Sequence, residues 1–338
     1  MTSFGLCALL QKLKIYLKPR SPGNKISLHN VTVMIMNTDV IHDFGNHPDW
    51  NESFYFNFYD KKNDVCAFMR IGLKPNKNEK SLFCFFMMPD GSLIGVKDQQ
   101  SCDNPTLNAK GLSFKKLISE KKWKLTFSGM LSKVKKGIKT QERVSFDLDF
   151  ESLNPVFDYR NCISGLKEEI SQSVASEHLE QFGKAAGYLV VGDRGYHITG
   201  LGERDHSWGV RDWNAPKMWI WLTCQFSEKC ALNVTKLVVD RGEVDAGFFY
   251  TDGKNLPLVK ADIDTIYNEE GSPISLKILL KDKDCNQYHV QAEVIKRTIL
   301  SFEGNDGKAL SFLHEPLAKF TYKDMTGYGI AEYLIRKF

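Results

Sequence analysis

The 338-residue sequence contains no uninterrupted apolar run of the about 18 residues that a membrane-spanning helix needs, so no such span is expected. It also lacks a GxSxG elbow, a Walker-type phosphate loop and an HExxH pair, which removes the common hydrolase, nucleotide-loop and zincin readings. The glycines of GDRGYHITG (Gly192–Gly200) lie between strand-like runs instead of opening a helix, so they read as a hairpin and not as a dinucleotide fingerprint. No fixed-period repeat is present, which argues against propellers and solenoids. The eight cysteines are dispersed without a CxxC pair, a pattern that suits reduced thiols better than a disulfide framework or a zinc site. A net charge of +4 is small for this length. The short basic cluster SKVKKGIK (Ser132–Lys139) reads as a solvated hairpin end, so no nucleic-acid partner is expected. At the N-terminus, MTSFGLCALLQKLK has an apolar run with no basic residue before it and no clear cleavage site after it. A cytoplasmic setting is therefore expected, in which the sequons at Asn30, Asn51 and Asn233 carry no weight.

What the sequence does have is strands. SFYFNFYD (Ser53–Asp60) alternates Phe54, Phe56 and Phe58 with Tyr55, Asn57 and Tyr59. CAFMRIGLK, SLFCFFMM, KLTFSGML and RVSFDLDF continue the pattern, and PDGS (Pro89–Ser92) has the chemistry of a tight turn. These runs predict a first β unit over residues 28–160. The stretch from Ser164 to Gly183 places Leu166, Ile170, Val174, Leu179 and Phe182 near helical spacing between a serine cap and a glycine, which predicts a helical connector over 161–185. A second β unit is expected over 186–338. The expectation is an all-β chain of two antiparallel sandwich or barrel units joined by a short helix.

Chemistry concentrates in GLGERDHSWGVRDWNAPKMWIWLTCQF (Gly200–Phe226), which carries four tryptophans, two Arg-Asp pairs and one histidine. RDHSWGVRDW (Arg204–Trp213) resembles the signature of the carotenoid 1,2-hydratase (hydroxyneurosporene synthase)/AttH-like family. WNESFYFNFYD (Trp50–Asp60), PDGS and the terminal GYGIAEY (Gly327–Tyr333) fall in the same order as that family's pattern. The resemblance implies tandem lipocalin-like units and an apolar pocket inside or between them. Hydration of isoprenoid double bonds and cyclisation of polyenes are the activities it suggests. The hydratase branch uses a histidine and a tryptophan two positions later, which match His206 and Trp208. It also uses a tyrosine and an aspartate two apart, types that Tyr250 and Asp252 share, although Asp252 precedes Gly253 in what reads as a surface turn.

The residues themselves allow that chemistry. An imidazolium donates a proton, and a carboxylate such as Asp205 or Asp212 holds it charged and oriented. Indole faces attract a developing cation by roughly 0.5–2 kcal/mol each, so Trp208, Trp213, Trp219 and Trp221, with Tyr250, are the expected substrate wall. A structural role is open beside this one: the Arg-Asp pairs pin a loop, His206 satisfies backbone carbonyls, and the tryptophans plug a core. Trp219 and Trp221 alternate with Ile220 and Leu222, so one of these faces must be interior. His42 and His47, near Asp43 and Asp49, read as a loop and not as a metal site. No metal and no cofactor is expected. The function expected is an enzyme hydrating, isomerising or cyclising an apolar isoprenoid, polyene or polyketide-like substrate. A non-catalytic intracellular carrier of a lipid or pigment is the alternative, and an interaction module comes third.

Overall fold

Alternating apolar runs of this kind close on themselves, and in the computed structural model they do so twice. The structure describes residues 38–163, 165–172, 177–210, 216–303 and 310–337. Thr38–Val40 belong to a separate unit, Met1–Val40, and the strands all lie in the unit Ile41–Phe338.

The first sheet contains β1 (Trp50–Asp60), β2 (Val65–Lys74), β3 (Glu79–Met87), β4 (Leu93–Gln100), β5 (Asn108–Ala109), β6 (Leu112–Ile118), β7 (Lys122–Lys135), β8 (Ile138–Ser152), β9 (Phe157–Asp158), β10 (Glu177–Val191) and β11 (Arg194–Val210). Its order is β4-β3-β2-β1-β11-β10-β8-β7, and a β4–β7 pairing at Leu93↔Val134 and Gly95↔Ser132 closes these eight strands into a barrel. The second sheet contains β12 (Met218–Ser227), β13 (Cys230–Val239), β14 (Gly242–Thr251), β15 (Lys254–Tyr267), β16 (Pro273–Asp282), β17 (Gln287–Lys296), β18 (Ile299–Glu303), β19 (Leu310–His314), β20 (Leu317–Tyr322) and β21 (Met325–Lys337). Its pairings run from β12 through β17 to β20 and β21, and β21 returns to β12. All described strand pairings, such as β1 with β11 and β12 with β21, are antiparallel. The all-β expectation of two lipocalin-like units holds.

Two expectations about the connection change. The helix α1 spans only Leu166–Gln172, and residues 177–185, expected to continue it, are strand. β10 pairs with β11 from Glu177↔Trp208 to Val191↔Arg194 and with β8 on its other edge. Leu179 and Phe182, which spacing placed on one helical face, lie on opposite faces of this strand, and both are buried. A strand covered on both sides accepts apolar residues at any spacing, which is why the helical reading fitted it. The β10–β11 hairpin, turning at Gly192 and Asp193, belongs to the first sheet, so the sheets change over between Val210 and Met218 and not near 186.

Three packed layers follow. Phe54, Phe56, Phe58, Trp123, Phe146 and Phe150 help fill the first barrel. Ile220, Leu222, Phe249, Phe320 and Tyr333 help fill the second. Between the barrels, Tyr55, Phe68 and Phe83 meet Trp219, Trp221, Phe248 and Tyr250. Both faces of β12 are thus interior: Ile220 and Leu222 point into a barrel, Trp219 and Trp221 into the seam. Fully burying each such side chain contributes roughly 1.5–3 kcal/mol relative to exposure.

The β1–β11 contact is close. A Cβ built on Gly202 would lie 1.8 Å from the Asn57 carbonyl oxygen. Gly202→Ala is therefore expected to destabilise the protein by about 1–3 kcal/mol through forced strand separation. Thermal melting checks this, and an unchanged midpoint would show that the strands can separate freely.

Candidate functional site

Because successive side chains of a strand point to opposite faces, β11 carries two chemistries. Arg204, His206 and Trp208 face the interior of the first barrel. Glu203 and Asp205 face the seam. Arg204 and Asp205, adjacent in sequence, therefore diverge. The Arg204 guanidinium donates from Nε to Gln181 Oε1 at 2.8 Å and lies 5.7 Å from the Trp123 ring centroid.

On the barrel side, His206 is wholly buried. Its Nε2 lies 2.8 Å from Glu52 Oε1, and His42 Nδ1 lies 2.7 Å from the same oxygen. Glu52 Oε2 accepts the His42 backbone N–H at 2.9 Å. The rings are stacked in place, His206 on Phe54 and His42 on Trp208, each with centroids 3.8 Å apart. Burial pushes the Glu52 carboxyl up, but the bonds from His206 and His42 outweigh it and hold the group below its usual range.

On the seam side, His178 Nε2 sits 2.5 Å from Asp205 Oδ2 and 2.9 Å from Glu180 Oε1. Trp221 Nε1 donates to the same Glu180 oxygen at 2.9 Å. Tyr159 packs its ring against His178 with centroids 4.2 Å apart, and its hydroxyl donates to Asn233 Oδ1 at 2.7 Å. Asn233 in turn donates to Glu203 Oε1 at 3.1 Å. Glu180, Glu203 and Glu315 are buried, and Glu332 is partly so. Burial, reinforced by the charge of Asp205, pushes Glu180 well above the usual carboxylate range. Burial and then Glu180 do the same to Glu203. Burial and then Glu332 raise Glu315. Burial of several carboxyls beside one imidazole favours their protonated forms, because bare charges there cost desolvation.

Among the residues singled out in the sequence, Asp205, Trp219, Trp221 and Tyr250 come together along the seam, where the Tyr250 hydroxyl donates to the Leu153 carbonyl at 3.0 Å. His206 and Trp208 lie on the other side of β11. Asp252 is exposed in the turn between β14 and β15, apart from Tyr250's buried ring. Asp212 and Trp213 lie outside the described residues. Glu52, His178, Glu180, Glu203 and Tyr159 were given no role by sequence reasoning, and His42 was read as part of a loop and not as a metal ligand. Their signal is an acid or imidazole inside a strand apolar on both faces, visible at Glu52 and Glu180. Among the described residues, two groups of side chains have metal-ligand types close together: His42, Glu52 and His206, and His178, Glu180 and Asp205. On the second barrel, a depression of about 850 Å³ is bordered by Lys236, Asp262, Ile263, Lys277, Ile278 and His289. It lies apart from both groups.

A family model described as a domain of unknown function, DUF7064, matches residues 36–337. The chain belongs to the DUF7064 family. No curated protein matches the sequence. Solved structures share the DUF7064 chain's fold at low identity. An AttH-type protein (NE1406) from Nitrosomonas europaea is 11% identical with a TM-score of 0.59, covering 94% of this chain and 99% of that one. CghA in complex with Sch210972 is 11% identical with a TM-score of 0.55, covering 89% and 94%. Kievitone hydratase from Nectria haematococca is 13% identical with a TM-score of 0.51, covering 84% and 88%. The AttH-like resemblance read from the motifs therefore holds at the level of the fold. No helix among the described residues of this DUF7064 protein is long and apolar enough to cross a membrane.

The seam acids give a pH signature. Burial raises the Glu332 carboxyl from the ordinary 4.5 to about 7; the bond to Glu315 works against this, and the charge of Asp205 adds to it. Between these two values the folded protein binds more protons than the unfolded chain, so this group's contribution to stability is lost as pH rises through that window. Glu332→Gln is expected to flatten the fall in melting temperature between pH 4.5 and 7 and to raise the midpoint above pH 7 relative to wild type. Parallel melting curves across that range would contradict the assignment.

Proposed function

We propose that the chain is an enzyme of the hydratase or cyclase type, acting on a small apolar isoprenoid, polyene or polyketide-like substrate at the seam between its barrels. The observation that carries this is His178 held between Asp205 at 2.5 Å and Glu180 at 2.9 Å, beside further buried acids and flanked by indole and phenol rings. Such an arrangement is expensive for a fold. Buried ionisable clusters add little stability compared with apolar packing, so their retention calls for another purpose. The shared fold of a protein named kievitone hydratase and of CghA bound to Sch210972 supports the same reading. Among the described residues the cysteines are free and mostly buried, which fits a reducing, cytoplasmic setting.

In the proposed reaction, Glu180 is the acid, kept neutral by burial and by the charge of Asp205. Its O–H bond breaks as the alkene π pair forms a C–H bond, leaving a carbocation next to the Trp219 and Trp221 rings, which attract positive charge. Water then adds through oxygen and loses a proton to His178, oriented by Asp205, and the proton passes back to Glu180 Oε1. For a cyclisation, the same neutral acid donates a hydrogen bond to a substrate carbonyl, and shape does the rest. Tyr250 forms part of the wall. Trp208 and His206 lie across β11 and take no part in this step.

The test begins with the mass of the small molecule recovered from protein purified out of its native tissue. That molecule or its unsaturated precursor is then incubated with enzyme in deuterated water. Wild type is expected to introduce carbon-bound deuterium or convert the substrate. Glu180→Gln should retain the ligand but turn over roughly 10²- to 10⁴-fold more slowly, the usual loss of acid–base assistance. A ligand that is held tightly and returned unchanged by wild type would instead identify a carrier.

A further inference from the structure

The barrel-side triad is not used by the seam chemistry, and its geometry has its own meaning. We propose that His42, Glu52 and His206 form a binding site for a divalent transition-metal ion, with zinc the best match to the donor set. Two imidazole nitrogens and one carboxylate oxygen are the protein ligands of many three-ligand zinc centres, which leave one position for water. The three donor atoms lie within 4.8 Å of one another. Both nitrogens converge on one oxygen, at 2.7 and 2.8 Å. Zinc bonded at its usual 2.0–2.1 Å in tetrahedral geometry sets neighbouring donor atoms about 3.3 Å apart. The two imidazole-to-carboxylate contacts, at 2.7 and 2.8 Å, would each open by about half an ångström to admit the ion.

The surroundings favour a held ion. Stacking on Phe54 and on Trp208 fixes the two imidazole planes, so little rotamer freedom remains to be lost on binding. The second carboxylate oxygen accepts the His42 backbone N–H at 2.9 Å, the kind of outer contact that orients a metal-binding carboxylate. His206 and Glu52 are wholly buried while the His42 side chain is 21% exposed, so the site has a solvent-facing side for entry and for a bound water. The ligands also come from three separate segments: the irregular stretch before β1, β1 itself, and β11. An ion there would tie the entering chain to the barrel wall, independently of what happens in the seam. Sequence spacing could not reveal the site, because Glu52 and His206 lie 154 residues apart.

Purified protein incubated with zinc and then freed of loosely held ion is expected to retain one zinc per chain by elemental analysis. Cobalt substituted at the same site should give the intense visible absorption of a four-coordinate centre. His42→Ala, at the least buried ligand, should weaken zinc binding by at least on the order of 100-fold. His47→Ala, at an exposed neighbour, should leave binding unchanged. Circular dichroism confirms that each variant is folded. Should His42→Ala fail to fold, X-ray absorption of zinc-loaded wild type replaces it, with two imidazoles expected in the inner shell. Wild type that retains no zinc, binding that survives His42→Ala intact, or an inner shell of oxygen alone would overturn the site.

Discussion

The antiparallel pairing of β1 with β11 is the contact on which the remaining structure depends. It runs from Trp50↔Val210 to Tyr59↔Leu201 and joins segments about 150 residues apart in sequence. Without it, the first eight-stranded ring has no closing wall. The β10–β11 hairpin would then be joined to the sheet only through β10, and Trp221 would lose the Tyr55 ring against which it packs. A ladder of such long sequence separation is costly to form and is rewarded only when both its faces are buried. Here they are: one faces a core of phenylalanines, the other faces the neighbouring barrel.

That same ladder sorts the polar groups. Glu52 and His206, on adjacent strands, point inward, where Glu52 stays ionised because two imidazoles reach it. One residue along β11, Asp205 points outward to His178 and Glu180, where acids outnumber bases and burial keeps protons on them. A one-residue slip of the register would exchange the two sets and place unpaired carboxylates among Phe54, Phe56 and Trp123. The charged residues thus make the register costly to get wrong, while the aromatic residues make the right one stable. The desolvation cost of the seam acids is offset by apolar burial elsewhere in the same interface.

Much of the fold was legible. The alternation of Phe54, Phe56 and Phe58 with Tyr55 and Tyr59 identified β1, and both sets proved to face buried or half-buried surroundings. PDGS and GDRGYHITG turned where their chemistry required, with Gly91 and Gly192 at positive φ. Residues 177–185 were misread because a doubly covered strand has no periodicity to betray it. The sheet boundary was misplaced for the same reason, since only the partner of β1 reveals that β10 and β11 belong with it. RDHSW fell on β11, whose Asp205 lies along the same seam as Trp219, Trp221 and Tyr250. His178 and Tyr159 gave no local signal, because their surroundings come from strands brought together by the fold, and Glu180 showed only as an acid inside an apolar strand.

The raised seam carboxyls are expected to include neutral carboxylic acids beside His178 at neutral pH. Infrared difference spectroscopy reads this directly through the carbonyl stretch of a protonated carboxyl group. Wild type at pH 7 is expected to show that band in a water-poor environment, and Glu180→Gln and Glu203→Gln should each reduce it. A spectrum at pH 7 with only ionised carboxylate bands, unchanged by either substitution, would contradict the account.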